Sequence, residues 1–124
     1  MEIKIGSLVV GAAHPTYFIA DIAANHDGSL ERACALIRLA KEAGADAAKF
    51  QNFRAAKIVS DYGFRSLCGQ QSHQARWKKS FFEVYQGASV PLEGTETLKS
   101  ECDAVGIDYF ASAYDFVAVE HVDT

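Results

Sequence analysis

Apolar runs alternate with amphipathic segments that end in glycine, and this alternation constrains the fold more than any other feature. The runs at residues 17–23, 45–51 and 107–112 are predicted strands. Apolar residues recur at steps of three and four in the segment before the second run, which is helical spacing, and a second helix is predicted before the third run. Gly44 and Gly106 end these helices just before the next strand. Strands joined by helices in this way are parallel, so the sequence predicts an α/β fold.

The segments around these strands predict the other elements. Residues 2–10 are expected to form a small hairpin that turns at Gly6 and Ser7. The first helix begins at Ser29 or Gly28, since both residue types are common N-caps. Further helices are predicted near residues 79–85, from 91 to 105, and from 115 to 120.

The number of predicted strands is small for a complete parallel fold. A closed (β/α)8 barrel needs about 250 residues and a doubly wound sheet usually has five or more strands. This chain has 124 residues. We therefore expect the first part of a larger architecture, and the residues alone leave the barrel and the doubly wound sheet open. Exposed strand edges favour pairing with another chain, so a homo-oligomer is expected.

Composition excludes several classes of function. The chain has 12 Lys and Arg against 16 Asp and Glu, so no basic excess is available for a nucleic acid. No apolar run reaches the ~18 residues of a membrane span, and the N-terminus lacks the order of regions in a signal peptide. Cys34, Cys68 and Cys102 have no metal-site spacing and are predicted to be packing residues. This use of cysteine favours a reducing compartment and a cytoplasmic protein.

Residues 52–80 are polar, aromatic and weakly periodic, and are predicted to be a long loop with short helical pieces. Loops this long are usually functional or mobile. The basic side chains of the segment form either a solvated surface or a lid that attracts anions. These residues are Arg54, Lys57, Arg65, Arg76, Lys78 and Lys79.

Polar side chains stand where the three predicted strands end. Ligands of parallel α/β folds bind at the carboxyl ends of the strands. An acid, a lysine, amides and a hydroxyl in one place suit an anionic or sugar-like ligand. The candidates are Asp21, Asn25 and His26 from the first strand, Lys49 and Gln51 from the second, and Ser112, Tyr114 and Asp115 from the third.

Lys49 is the leading candidate, because an ammonium in an apolar strand needs an anion nearby. It can hold a phosphate or carboxylate, form a Schiff base, or form a structural ion pair with Asp21 on the neighbouring strand. Gln51 follows by two residues and shares its face of the strand. Asn25 and His26 either point into the site or stabilise the turn, and no second ligand stands at metal spacing from His26.

Three motifs in combination identify a known family. They are Asn25-His26-x-Gly28, Gly44-Ala45-Asp46 and Lys49-Phe50-Gln51, within the stretch FIADIAANHDGSLERACALIRLAKEAGADAAKFQNF. This stretch resembles the first βαβ unit of the sialic acid synthase (N-acetylneuraminate synthase) family. DAVGIDYFASAYD is similar to the third strand of that family. The resemblance covers nearly the whole chain and is weakest from about residue 54 to 90.

The resemblance implies a fold and a reaction. The fold is the N-terminal portion of a (β/α)8 barrel, with about three β/α units after a leading hairpin. Residues 1–124 are then a single partial domain, and the C-terminal antifreeze-like domain of the family is absent. Family members condense phosphoenolpyruvate with an N-acyl mannosamine or related amino sugar. A divalent metal, Mn2+ or Mg2+, polarises the sugar aldehyde, and its two histidine ligands come from later strands that lie outside this chain.

The resemblance also implies roles for individual residues. Lys49 matches the lysine that binds phosphoenolpyruvate, Gln51 matches a residue near the amino sugar, and Ser112 stands where a threonine contacts the phosphate. Asp21 matches a catalytic glutamate and is one methylene shorter. Asn25 is added to the substrate-binding candidates from its place after the first strand, and not from the resemblance. At Ala23 the family usually has glycine.

Two other hypotheses remain beside the synthase. Because metal ligands are missing, the chain alone is expected not to catalyse the condensation. It is then either part of a synthase or a non-catalytic truncated barrel fragment that self-associates. A third hypothesis makes Lys49 the Schiff-base lysine of an aldolase, which borohydride trapping with a keto acid would detect.

Overall fold

The chain forms one antiparallel hairpin and one parallel three-stranded sheet. The computed structural model describes residues 1–60, 62–63, 79–91 and 93–122. The strands are β1 (Glu2–Ile5), β2 (Leu8–Gly11), β3 (Ile19–Ala23), β4 (Ala47–Asn52) and β5 (Asp108–Ala113). The helices are α1 (Leu30–Glu42), α2 (Ala55–Ile58), α3 (Phe81–Ala88), α4 (Gly94–Val105) and α5 (Phe116–Val122). β1 pairs with β2, and the parallel sheet has the order β3-β4-β5, which confirms the predicted hairpin and the predicted α/β alternation.

The helix boundaries follow from capping. Of the two predicted N-caps for α1, Ser29 has the role, because its side chain accepts a hydrogen bond from the Arg32 N–H at 3.2 Å. α4 ends at Gly106, whose left-handed φ of +75° closes the helix. α3 begins after a capping box between Ser80 and Glu83, so it lies at 81–88 instead of the predicted 79–85.

The core lies between one face of the parallel sheet and the helices α1 and α4. Its largest fully buried apolar side chains are Phe50 from β4, Ile37 from α1 and Leu98 from α4. Cys102 is also fully buried there, and Cys34 packs against the same cluster. The packing role predicted for these two cysteines is confirmed, and Cys68 lies outside the described residues.

The other face of the sheet is partly exposed, and among the described residues Tyr17 packs on Phe110 there. A near-continuous apolar run such as residues 17–23 predicts a strand that is buried on both faces, and for this strand the prediction is wrong. Phe18 and Ile19 are 61% and 47% exposed, and of β3 only Ile22 is buried. The reason is that β3 is an edge strand and that helices pack on one of its faces alone.

The long segment after β4 is described only in part. α2, at Ala55–Ile58, is one of the predicted short helical pieces. Arg65, Arg76 and Lys78 lie outside the described residues. No helix in the described part of the chain has the length and apolar character needed to cross a membrane.

Candidate active site

The side chains of β4 alternate between the core and the open face of the sheet. Ala48, Phe50 and Asn52 are buried, whereas Lys49 and Gln51 are half-buried and point to the opposite face. This alternation confirms that Lys49 and Gln51 share one face.

Strand register brings the other polar candidates beside these two. Asp21 of β3 pairs with Lys49, and Ser112 of β5 pairs with Gln51. Partners in a parallel register present their side chains to the same face, so four candidates lie together near the carboxyl ends of the strands. The structure therefore gathers Asp21, Lys49, Gln51 and Ser112 into one cluster, which we call the polar rim.

Lys49 and Asp21 form an ion pair across the rim. The distance between Lys49 Nζ and Asp21 Oδ1 is 3.3 Å, and the two side chains are 32% and 60% exposed. The predicted anion beside Lys49 is thus Asp21, and the ion-pair alternative is present in the structure, with Lys49 half-buried on the open face. An ammonium carries three donors and this pair uses one, so Lys49 can still donate to a bound anion.

Asn25 has a structural contact in the turn after β3. Its Nδ2 donates a hydrogen bond to the carbonyl oxygen of Ile22 at 3.0 Å. The turn-stabilising alternative is thus present in the structure, and a substrate contact by Asn25 stays a prediction.

His26, in the same turn, is fully buried and faces the core. Its Nδ1 accepts a hydrogen bond from the Gly28 N–H at 3.0 Å, so the neutral ring carries its proton on Nε2. Its ring centroid lies 6.2 Å from that of Phe50, a core residue. Burial lowers the pKa of His26, with Asp27 opposing and Arg32 supporting the shift. These contacts favour the turn role over a place in the polar rim.

The turn after β3 has a strained backbone. Among the described residues, the non-glycine residues with positive φ are Ala23 at +53° and Asp27 at +50°. The β3–β4 register also shifts between Asp21 and Ala23. Gly28 is required here, since a Cβ at this position would lie 2.5 Å from the carbonyl oxygen of Gly87 in α3.

One contact beside the rim was not predicted from the sequence. Arg54 follows β4, and its guanidinium makes two hydrogen bonds with the carboxylate of Asp115, which follows β5. The sequence indicates the two residues separately, Arg54 in a basic segment and Asp115 as a strand-end acid. The signal that could have joined them is spacing, because each stands three positions after a residue of the Gln51–Ser112 pair.

The described residues do not form a metal centre. No group of three or more His, Cys, Asp or Glu side chains in this part of the chain could hold a metal ion. No metal ligand is therefore assigned to these side chains.

The fold and the site together define a class, a parallel α/β unit with its polar site at the carboxyl ends of the strands. The sequence profile of the NeuB family matches residues 36–124, and the chain belongs to this family. This result confirms the predicted membership in the sialic acid synthase family.

Individual relatives agree with the family and with the fold. The chain is 34% identical to N-acetylneuraminate-9-phosphate synthase of Homo sapiens over 111 residues, which are 90% of this chain and 30% of that protein. It is 27% identical to N,N'-diacetyllegionaminic acid synthase of Legionella pneumophila over 110 residues, which are 89% of this chain and 30% of that protein. The crystal structure of N-acetylneuraminic acid synthetase from Leptospira borgpetersenii superposes with a TM-score of 0.74 at 23% identity. That superposition covers 99% of this chain and 38% of the other, and it shows the fold.

These relatives are nonulosonic acid synthases, so the chain belongs to a family of such enzymes. It spans about 30% of the length of the curated relatives that it matches.

Proposed function

We propose that this chain supplies one side of the phosphoenolpyruvate and amino-sugar site of a nonulosonic acid synthase. The observation that carries the proposal is the polar rim, in which Asp21, Lys49, Gln51 and Ser112 share one face at the carboxyl ends of the strands. The family membership and the position of the rim in a parallel sheet point to the same function.

Lys49 and Ser112 are the proposed ligands of phosphoenolpyruvate. The Lys49 ammonium has donors left after its pair with Asp21, and charge-assisted hydrogen bonds to phosphate or carboxylate are the strongest kind. The Ser112 hydroxyl adds a donor from β5, which lies on the opposite side of β4 from Asp21. Fixed donors of this type stabilise the negative charge that builds up as phosphate leaves.

Gln51 and Asp21 are the proposed contacts of the amino sugar and of the reacting groups. The Gln51 amide both donates and accepts hydrogen bonds, as sugar hydroxyl and acyl groups require. The exposed Asp21 carboxylate is an acceptor for a hydroxyl or water proton during the reaction. C3 of phosphoenolpyruvate bonds to the aldehyde carbon of the open-chain sugar, water adds to C2, and phosphate leaves by cleavage of its C–O bond.

The chain alone is proposed to bind but not to condense. The divalent metal expected from the resemblance, Mn2+ or Mg2+, would have its ligands outside these 124 residues. Asn25 remains a proposed substrate contact. Measurable turnover of phosphoenolpyruvate and an N-acyl mannosamine by the purified chain would contradict this division.

The test is a titration of the chain with phosphoenolpyruvate, followed by NMR chemical shifts. We expect Lys49→Met to weaken binding at least ~10-fold, which corresponds to about 1.4 kcal/mol. Lys41→Met is the matched control, because the Lys41 ammonium bonds to the Gly106 carbonyl oxygen at the other end of the sheet. Equal losses in the two variants, or no binding by the unchanged protein, would refute the proposed site.

One observation favours the self-associating alternative. In the described part of the sheet, the outer edges of β3 and β5 pair with no strand, and such edges promote association. Sedimentation over a range of concentrations measures this directly, and the predicted homo-oligomer is tested by the same experiment. Borohydride trapping on Lys49 with a keto acid would instead support the aldolase hypothesis, because the synthase reaction forms no imine.

A further inference from the structure

We infer that Arg54 and Asp115 form a clamp that holds the ends of β4 and β5 at the spacing that Lys49 and Ser112 need to bind phosphoenolpyruvate together. The inference rests on the proposed function and assigns a positioning role to two residues outside the polar rim. Neither residue is proposed to touch the substrate.

The clamp has bidentate geometry. Arg54 Nε donates to Asp115 Oδ2 at 3.0 Å, and Arg54 Nη2 donates to Asp115 Oδ1 at 2.8 Å. Two parallel bonds between a planar guanidinium and a carboxylate fix orientation as well as distance. A single bond to a lysine would leave the two loops free to rotate about it.

The clamp stands where the backbone pairing of the two strands stops. The last register pair of β4 and β5 is Asn52 with Ala113, directly after the Gln51–Ser112 pair. Arg54 and Asp115 are two positions beyond that last pair. They therefore continue the link between the strands with side chains after the backbone ladder has ended.

An aromatic contact fills the position between ladder and clamp. The rings of Phe53 and Tyr114 meet edge to face, with centroids 6.1 Å apart and planes at 82°. Phe53 is buried and also contacts Tyr85 of α3. The two strand ends are thus joined by three successive contacts, of which the ion pair is the outermost.

Asp115 also connects the clamp to the next helix. Its Oδ1 accepts a hydrogen bond from the Ala118 N–H at 3.0 Å, in the first turn of α5. Its side chain is 13% exposed, and the bond to Arg54 lowers the pKa of this carboxyl. Arg54 therefore binds the Asp115 carboxylate, whose position is also fixed by its hydrogen bond to α5.

The clamp matters more to the site than to overall stability. The Arg54 side chain is 44% exposed, and exposed ion pairs contribute little to folding. A displacement of about 1 Å in a reacting group can cost ~100-fold in rate. Hydrogen bonds to a bound anion are also sensitive to distance, so a change in spacing between Lys49 and Ser112 is expected to weaken phosphoenolpyruvate binding while the protein stays folded.

The experiment compares Arg54→Ala and Asp115→Asn with Arg38→Ala. Asparagine keeps an N-cap acceptor for Ala118 and removes the charge that Arg54 binds. Arg38 is the matched control, because its Nε bonds to Glu101 Oε1 at 2.7 Å in an exposed pair between α1 and α4. Each variant is measured by urea unfolding, by amide hydrogen exchange, and by titration with phosphoenolpyruvate.

We expect all three variants to show similar, small shifts of the urea midpoint. Amide exchange of residues 50–52 and 111–113 should become about fivefold faster or more in Arg54→Ala and Asp115→Asn, and stay unchanged in Arg38→Ala. Phosphoenolpyruvate affinity should fall about fivefold in the first two variants, and Arg54→Lys should recover only part of it.

Three results would overturn the clamp. Amide exchange at the strand ends that matches the Arg38→Ala control would show that the Arg54–Asp115 pair does not fix the spacing of β4 and β5. Loss of affinity in Arg54→Ala with full affinity in Asp115→Asn would make Arg54 a direct anion ligand. Equal exchange changes at every site would make the pair a general contributor to stability. If the unchanged protein fails to bind phosphoenolpyruvate, the proposed function fails, whereas the exchange result still decides for or against the clamp.

Discussion

The two ends of the parallel sheet carry similar polar residues in opposite states. At the amino end, the Tyr17 hydroxyl donates to the Asp108 carboxylate, and Asp46 Oδ2 accepts from the Phe18 N–H at 2.8 Å. At the carboxyl end, Asp21 and Lys49 meet at 3.3 Å on an open face. At the amino end these polar groups have hydrogen-bond partners within the protein. At the carboxyl end, Lys49 has donors left beyond its pair with Asp21.

The difference between the two ends of the sheet indicates that the amino end stabilises the fold and that the carboxyl end is available to bind a ligand. The Asp46 carbonyl accepts from the Asp108 N–H at 2.8 Å, and the hairpin turn at Gly6 sits so close that a Cβ there would lie 2.6 Å from Asp108 Oδ1. Burial and the Asp108 carboxylate raise the pKa of Tyr17 above its usual range. Groups that have all their partners inside the protein stabilise it, whereas groups that lack them can bind a ligand.

The largest effect is expected at the amino end. Asp108→Ala removes the acceptor of Tyr17 and the contact under the hairpin turn. Hydrogen bonds to charged groups contribute about 1.5–3 kcal/mol, so we expect a loss of about 3 kcal/mol in the free energy of unfolding. Urea denaturation measures it.

Phosphoenolpyruvate binding by the folded fraction of Asp108→Ala provides the comparison. It should match that of the unchanged protein, because Asp108 starts β5 and the polar rim lies near the strand ends. A loss of affinity beyond the loss of folded protein would mean that the two ends are coupled.

The fold was largely predictable from the sequence, because its signals are local. Capping at Ser29, the stops at Gly44 and Gly106, and the apolar runs each identify an element from neighbouring residues. The errors concern burial. Phe18 and Ile19 look like core residues by type, and their exposure depends on which faces of β3 are covered.

The site was predictable only as far as strand period and register allow. The shared face of Lys49 and Gln51 follows from a period of two. The Arg54–Asp115 pair joins residues 61 positions apart in sequence, and only the register of β4 and β5 relates them. The burial of His26 likewise depends on packing against Phe50 and not on the turn motif in which it stands.

The second prediction concerns pH and the carboxyl end. The folded-state pKa of His26 is lowered below its usual value of 6.5, so the unfolded chain takes up the proton first as pH falls. The contribution is fully present above about pH 6.5 and is lost below it, with a slope of up to about 1.4 kcal/mol per pH unit. Stability measured from pH 7.5 to 5 should show this slope.

A variant and a site-resolved measurement separate His26 from other groups. In His26→Asn the amide oxygen can still accept from the Gly28 N–H, and the slope should disappear. Protection factors of the amides at residues 24–29 should fall before those of Asp46 and Asp108 as the pH falls. If the amino end opens first, acid acts through another group and the contrast between the ends is lost.

The third prediction compares a left-handed backbone conformation at the two ends of the parallel sheet. Ala23, at the carboxyl end, has φ +53°, and Gly44, just before β4, has φ +88°. A left-handed conformation costs a residue with a Cβ about 1–2 kcal/mol, and glycine returns part of this in chain entropy. We expect Ala23→Gly to stabilise the protein by about 1 kcal/mol.

Gly44→Ala should have the opposite sign and a similar size. No atom lies within 4 Å of a Cβ built at Gly44, so this variant measures the backbone cost alone. Thermal unfolding of both variants checks the pair. Destabilisation by Ala23→Gly would mean that the methyl group makes a packing contact worth more than the backbone strain.

The smallest effect on stability is expected from the most exposed charge of the rim. Asp21→Asn removes an ion pair whose carboxylate is 60% exposed, and such pairs are worth about 0–1 kcal/mol. We expect a change of about 0.5 kcal/mol or less in urea unfolding, roughly a sixth of that for Asp108→Ala. Both substitutions remove an aspartate from a strand of the same sheet, so their ratio measures the contrast between the two ends. If Asp21→Asn lowers the free energy of unfolding as much as Asp108→Ala does, the polar rim is a structural network. Its charges then stabilise the fold instead of binding a ligand.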